Sequence, residues 1–260
     1  MMRWTFIALS VTLWLSCNTH QTPPAKSTTD DISRQADSLS FSIDYLMGRF
    51  NPATHPDFVR IAPEHCDKPD MFLRRDAYHA FVRMYRAAQA DGITLIIRSA
   101  TRPFQHQKRI WEAKWRGERL VDGMNLAQAI PDPVQRALKI LEYSSMPGTS
   151  RHHWGTDIDL NAFENSYFEQ GQGQHEYEWL VAHAHEYGFC QPYTAKGPQR
   201  PWGYNEEKWH WSYRPIARQL TQLARTQLTD QMISGFQGAE TAPQIQVVKR
   251  YVLGINEDCF

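Results

Sequence analysis

Apolar residues recur at helical spacing through Phe72, Leu73, Ala77, Phe81, Met84 and Ala88, and the pattern stops at Gly92. A helix over 70–90 follows from that period. Residues 93–97, Ile-Thr-Leu-Ile-Ile, form a short β-branched run that predicts a strand leading into Arg98-Ser99-Ala100-Thr101-Arg102. Helices are predicted over 105–116 and from Asp132-Pro133 to about 143, the latter opened by a capping residue and a proline in the first turn. Residues 144–150 carry Pro147 and Gly148 and read as a loop. Residues 156–161, Thr-Asp-Ile-Asp-Leu-Asn, alternate strictly. That is a strand with Asp157, Asp159 and Asn161 on one face and Thr156, Ile158 and Leu160 on the other. A helix over 176–187 stops at Gly188, residues 198–205 form a turn-rich loop, and 209–213, Trp-His-Trp-Ser-Tyr, form an aromatic strand. Residues 215–229 are predicted helical, while 245–255 fit a helix or a strand. No internal repeat is visible, and the order of elements predicts a mixed α+β fold.

The start of the chain has a different pattern. Arg3 precedes an apolar run from Trp4 to Leu15, followed by Ser16-Cys17. The run is too short to span a bilayer and has the length of a signal-peptide core. A small residue before Cys17 fits lipoprotein processing with lipid on Cys17, although Trp14 and Leu15 depart from the usual pattern. Plain secretion and a buried helix are the alternatives. Residues 18–40 are rich in Thr, Ser, Gln, Asp and Pro, a composition too poor in apolar residues to fold. The predicted organisation is therefore a signal segment at 1–17, a disordered tether at 18–40, a domain at 41–230 and a C-terminal extension at 231–260. The protein is expected to be an exported, periplasmic or cell-envelope lipoprotein of a bacterium.

Charge narrows the partners. Lys+Arg and Asp+Glu both number 28, so no global field recruits nucleic acid or an anionic membrane surface. Four cysteines are present. With Cys17 lipidated, Cys66, Cys190 and Cys259 remain, and both one disulfide plus a free thiol and three buried thiols fit. No pair has zinc-knuckle spacing.

The candidate chemistry lies at two places. A catalytic zinc needs three protein ligands of His and carboxylate type, an open position and a nearby base. His152 and Asp159 stand on either side of a turn containing Gly155, which allows the chain to bend so that both reach one point. In Glu207-Lys208-Trp209-His210, the preceding Pro201, Gly203 and Asn205 argue against a helix. A strand there sends His210 away from Trp209 and Trp211, with Glu207 in the loop before it. Each half alone is more often a structural histidine beside a solvated edge.

Together, Ser150-x-His152-x-x-Gly155-x-x-x-Asp159 followed by Glu207-x-x-His210 resembles the motif set of the zinc D-alanyl-D-alanine carboxypeptidases, the VanY-like group related to lysostaphin-like and hedgehog-like zinc domains. Ser99-Ala100-Thr101-Arg102-Pro103-Phe104-Gln105-His106-Gln107 is similar to a further segment of that family. The stretches from Trp179-Leu180 to Tyr187-Gly188-Phe189 and Pro192-Tyr193 are also similar, so the resemblance covers about 70–213. It implies a small antiparallel sheet that carries the zinc site and is flanked by helices. By position it implies His152, Asp159 and His210 as zinc ligands, Glu207 as catalytic base, Arg102 as a group that binds substrate or the oxyanion, and Ser150 as a substrate contact. Arg98 is a rival for the role of Arg102. Asp157 departs from the family, where a small residue is common, and either orients a ligand His or meets solvent. Thr101 replaces an aromatic residue.

The implied activity is zinc-dependent release of terminal D-alanine from peptidoglycan stem peptides. An L,D-carboxypeptidase or a peptidoglycan endopeptidase with the same centre is the alternative, and a non-catalytic zinc-stabilised binding module a third. Retention of Glu207 and Arg102 argues against the last. Other histidines read as bland: His183 and His185 lie two apart on a helix and cannot share a metal, His153 projects away from its neighbour's ligand position, and His65 is structural.

Overall fold

The computed structural model of the protein describes residues 41–260, with Met1 alone before them. The expected signal segment, Cys17 and the tether lie outside the described residues. A short helix, α1 (Ile43–Leu46), starts at Ser42, whose side chain accepts from the Tyr45 amide. Strand β1 (Phe58–Arg60) then pairs antiparallel with β2 (Phe72–Arg74). The helix predicted from residue 70 therefore begins later, as α2 (Arg75–Ala90), because a ladder partner upstream captures 72–74. Ala77, Ala80, Phe81, Met84 and Ala88 of α2 are buried, at the 3.6-residue period read from the sequence.

The second sheet carries the centre of the molecule. Its strands are β3 (Ile97–Ser99), β4 (Asp157–Leu160), β5 (Phe189–Cys190) and β6 (His210–Tyr213), all antiparallel, in the order β3-β4-β6-β5. Strand β3 starts only at Ile97, where the predicted run ends, and extends into Arg98 and Ser99. The Ile96 amide donates to the Asn161 side chain at 2.7 Å, and Ile93 closes onto Ala88, so the run is held by local partners instead of a ladder.

Around the sheet lie α3 (Phe104–Trp115), α4 (Leu126–Ala129), α5 (Pro133–Ile140), α6 (Gly171–His183), α7 (Arg214–Gln227) and α8 (Ala242–Ile245). Helix α5 starts as the sequence indicates, with the Asp132 side chain accepting from the Gln135 amide at 2.8 Å, a cap of about 1 kcal/mol. Helix α6 starts before the predicted 176 and passes into a 3-10 turn that ends at Gly188.

Two apolar clusters form the core. Ile158, Leu160 and Trp211 pack with Phe81, Met84 and Leu95. A larger cluster joins Trp111, Trp154, Leu220 and Phe236. Residues 231–260, ambiguous in sequence, are part of the latter: Ile233, Ile245, Val252 and Ile255 are buried in it. They run through 3-10 turns, α8 and a π-helical turn at Val248–Val252. Cys259 joins Cys190 of β5 in a disulfide, and Cys66 is free and half-buried. No helix of the described residues is long and apolar enough to cross a membrane.

Candidate metal centre

Alternation along β4 and β6 builds the site. In their register Asp159 lies opposite His210, Ile158 opposite Trp211, and Asp157 opposite Ser212. Directly opposed residues share a face, so the strict alternation sends Ile158 and Trp211 into the core and gathers the four polar side chains on the other side.

His152 arrives from a different element. Residues Arg151–Trp154 form a 3-10 turn that ends at Gly155 with φ +73°. A Cβ at Gly155 would lie 2.3 Å from the Phe58 ring, so the left-handed backbone and the close packing both call for glycine there. The turn delivers His152 beside β4, and its backbone carbonyl accepts from the Arg102 amide at 2.9 Å.

Ligand-type atoms of His152, Asp159 and His210 all lie within 4.8 Å of one another, and the three residues are buried. The contacts fix which nitrogen of each ring faces inward. His152 Nδ1 donates to the Ala100 carbonyl at 2.9 Å, which leaves Nε2 with its lone pair 3.2 Å from Asp159 Oδ2. His210 Nε2 donates to Asp157 Oδ1 at 2.9 Å, which leaves Nδ1 3.1 Å from Asp159 Oδ1 and 3.4 Å from Glu207 Oε2. His152 Nε2 and Asp159 Oδ1 are buried without a hydrogen-bond partner. Lone pairs of nitrogen and carboxylate oxygen held face to face repel unless a cation lies between them, and an unpartnered buried polar atom is costly. Two imidazoles and a carboxylate are also a zinc donor set. The residues fit a divalent metal.

Electrostatics agree. Burial lowers the His152 imidazole to about 4, helped by the Arg102 charge, so it is neutral near pH 7. Burial alone would lower His210 too, but Asp157, Asp159 and Glu207 outweigh it and raise the ring well above its ordinary value. Three carboxylates around one imidazole call for positive charge, which a metal ion supplies. Burial raises Glu207 above the usual carboxylate range, against the opposing pull of His210. Asp157 and Asp159 stay well below that range: burial would raise both, but Arg151 and His210 act on Asp157, and His152 and His210 on Asp159.

Asp157 does not meet solvent. Its carboxylate takes bonds from His210, Arg151 Nε at 3.0 Å, Ser212 Oγ at 2.9 Å and Thr156 Oγ1 at 2.6 Å. Arg151, equally buried, also donates to Ser212 at 2.7 Å and to Thr221 of α7 at 3.0 Å. Of the two alternatives left open by the sequence, Asp157 takes the one in which it orients a ligand-type His.

The triad opens into a small pocket walled by Arg102, Ser150, Glu207 and three tyrosines, Tyr143, Tyr193 and Tyr204. Arg102 Nη1 donates to Gln107 Oε1 at 3.0 Å and Nη2 stands 3.9 Å from Asp159. Arg98 lies elsewhere, paired with Asp67 and donating to the Asn161 carbonyl at 2.7 Å. Ser150 Oγ and Tyr204 Oη are buried without partners. The structure thus brings His152, Asp159, His210, Glu207, Arg102 and Ser150 to one place. His153 turns away, bonding to the Arg102 carbonyl and the Gly148 amide, and His183 pairs with Glu186 on the surface. Tyr204 carries no signal in the sequence, because it sits in a Pro- and Gly-containing loop with no periodicity. A larger cleft of about 420 Å³ beside β5, lined in part by Tyr177, Phe189 and Arg214, holds none of these groups.

An α+β fold whose two central strands gather a buried two-histidine, one-aspartate cluster, with a carboxylate and a guanidinium at its rim, defines a candidate divalent-metal centre. The family model of VanY, D-alanyl-D-alanine carboxypeptidase, matches residues 70–216, and the chain belongs to that family. A D-alanyl-D-alanine carboxypeptidase of Enterococcus faecalis (strain ATCC 700802 / V583) is 28% identical over 130 residues, 50% of this chain and 44% of the relative. YodJ of Bacillus subtilis (strain 168) is 27% identical over 175 residues, 65% of this chain and 56% of the relative. The chain thus spans about half the length of the curated relatives it matches. The solved structure of the LdcB LD-carboxypeptidase is similar with a TM-score of 0.49 and 20% identity, over 68% of this chain and 74% of that one.

Proposed function

We propose that the protein is a zinc-dependent carboxypeptidase that releases terminal D-alanine from peptidoglycan stem peptides. The observation that carries this reading is the convergence of His152 Nε2, Asp159 and His210 Nδ1, with unpartnered buried atoms among them, beside Glu207 and Arg102. Membership of the carboxypeptidase family supports the substrate class.

His152, Asp159 and His210 would hold the ion. Zinc there would supply Lewis acidity toward the scissile carbonyl and toward the attacking water. Glu207, whose burial raises its proton affinity, takes a proton from that water and returns it to the leaving amine. The Arg102 guanidinium faces the negative charge that develops on the carbonyl oxygen, with a permanent charge and a planar set of donors. Ser150 and Tyr204 offer unpaired hydroxyls to the bound peptide. Asp157 and Arg151 keep His210 in the tautomer that presents Nδ1.

The same reading makes the protein exported and held at the bacterial envelope, where its substrate lies, with Cys17 as the lipid attachment point. Detergent phase partitioning of the wild type and Cys17→Ala tests the anchor: a wild type found in the aqueous phase overturns it. For the activity, a synthetic pentapeptide ending in D-Ala-D-Ala is incubated with zinc-loaded and chelator-treated protein. Zinc-dependent release of a single D-alanine is expected. Release from a tetrapeptide alone would make it an L,D-carboxypeptidase, internal cleavage an endopeptidase, and no turnover a binding module.

A further inference from the structure

Glu207 comes before the ladder that holds His210. Strand β6 starts at His210, and residues 206–208 precede it. Their backbone groups still need partners, and two amide side chains supply them. Asn165 Nδ2 donates to the Glu206 carbonyl at 2.8 Å, and its Oδ1 accepts from the Lys208 amide at 3.0 Å. Gln191 Nε2 donates to the Glu207 carbonyl at 3.2 Å and to the Tyr193 carbonyl at 3.3 Å. The Tyr193 carbonyl also accepts from the Glu207 amide at 2.9 Å, and the Glu207 carbonyl from the His210 amide at 3.2 Å. The peptide groups on both sides of Glu207 are therefore held.

The two amides come from the two neighbours of β6. In the order β3-β4-β6-β5 both flanking strands run antiparallel to it, so their C-terminal ends lie beside its start. Asn165 opens the 3-10 turn Asn165–Glu169 that follows β4, and half-buried as it is, it reaches across to 206 and 208. Gln191, which is buried, directly follows β5. Each carries a donor and an acceptor, as a peptide group does, and so continues the pairing where the strands end. A carboxylate of the same shape has no hydrogen to give the Glu206 carbonyl. The Tyr177 hydroxyl donates to Gln191 Oε1 at 2.9 Å, which turns Nε2 toward the two carbonyls. Neither amide is among the described residues that line the pocket at the triad.

We propose that Asn165 and Gln191 are positioning residues: together they clamp the backbone of 206–208 and so set where the Glu207 carboxylate stands, with Oε2 3.4 Å from His210 Nδ1. This rests on the preceding reading of Glu207 as the base. A base must lie within hydrogen-bond reach of the proton it takes, and a displacement of about 1 Å can cost about 10²-fold in rate. His210 gets that precision from the ladder with β4, and Glu207 gets it from the two amides.

The test compares the zinc-loaded wild type with Asn165→Ala and Gln191→Met on a pentapeptide ending in D-Ala-D-Ala, recording kcat, KM and bound zinc. Melting curves confirm that each variant is folded. Gln191→Met keeps the bulk of its side chain and stands in should Asn165→Ala fail to fold. Asn165→Ala is expected to lower kcat by about 10- to 100-fold with KM and zinc content unchanged, because the base acts on the chemical step and not on binding. Gln191→Met should lose less, since the Glu207 carbonyl keeps the His210 amide. An unchanged kcat in either folded variant, or a loss matched by loss of zinc, overturns the proposal. Should the wild type release no D-alanine, the proposed activity fails by itself. Crystal structures of the same proteins then decide the clamp, which predicts a Glu207 carboxylate displaced by about 1 Å or more in the variants. A carboxylate that stays beside His210 in either variant overturns it.

Discussion

Asp157 accepts a hydrogen bond from His210 Nε2 at 2.9 Å, on the edge of the ring opposite the one that meets Asp159 and Glu207. This contact determines which nitrogen the ring presents, and Arg151 holds the carboxylate in turn. We expect Asp157→Ala to weaken zinc binding roughly 10- to 100-fold, the usual effect of losing such a carboxylate. It also leaves Arg151 buried without its counter-ion, at a cost of about 3–5 kcal/mol. Asp157→Asn keeps the shape and should lose less stability than affinity. Zinc competition with a chelator and melting of both variants check this; unchanged affinity in Asp157→Ala would remove the orienting role.

Glu207 and His210 are separated by one turn of chain, yet their replacements should differ in kind. Glu207→Ala is expected to retain metal and lose turnover by roughly 10²- to 10⁴-fold, the range for a general base. His210→Ala should lose metal and turnover together, because one of three donors is gone. Metal analysis of the purified variants separates the roles, and a Glu207→Ala protein stripped of zinc would make Glu207 a ligand.

Acid should destabilise the fold through a histidine outside the triad. His153 is fully buried as a neutral ring, with Nδ1 against the Arg102 carbonyl and Nε2 accepting from the Gly148 amide at 3.0 Å. Burial lowers it to about 3. Between that value and the ordinary 6.5 the unfolded chain binds a proton that the folded chain refuses, so stability falls as pH falls through this window. At pH 5 the loss is about 2 kcal/mol from this group. Metal-free wild type and His153→Gln, which can donate and accept but not titrate, should therefore differ in the pH slope of Tm. Equal slopes would mean that His153 is protonated without cost.

Reduction should loosen the end of the chain. The Cys190–Cys259 bridge spans a sequence separation of 69, and in the chain-entropy account a loop of that length contributes about 4 kcal/mol. For a domain of this size the corresponding fall in Tm is about 10 °C. Melting of Cys259→Ser against the wild type measures it, and a shift below about 2 °C would show that packing alone secures the terminus.

How much of the fold and the site is legible in the sequence depends on range. The alternation at 156–161 and 209–213 is enough to assign Asp159 and His210 to their faces, because a period of two is a local property. The pairing of Asp159 with His210 is not local: it joins strands that share no pattern beyond their polar residues. The same reason explains residues 72–74, whose helical spacing gives way to a ladder with 58–60. Residues 93–96 are apolar enough for a strand, but Asn161 takes the amide that a ladder would have used. By position the family resemblance favours Arg102, with Arg98 four residues earlier as a rival. Only the third dimension puts Asp67 beside one and the triad beside the other. Tyr204 carries no motif and enters only through the wall it completes.

Helix α3 supports Arg102 through Gln107, yet much of its inner side is covered by what comes last in the chain. Trp111 Nε1 donates to the Gln237 carbonyl at 2.8 Å, Lys108 Nζ to the Gly235 carbonyl at 2.6 Å, and Phe236 packs against Phe104 and Trp111. Synthesis delivers every metal-ligand candidate by residue 210, well ahead of that cover. Vectorial folding, in which early segments settle while later ones are still being made, cannot finish this core. Packing of residues 235–237 against α3 therefore completes the wall behind Gln107, the side chain that accepts from Arg102.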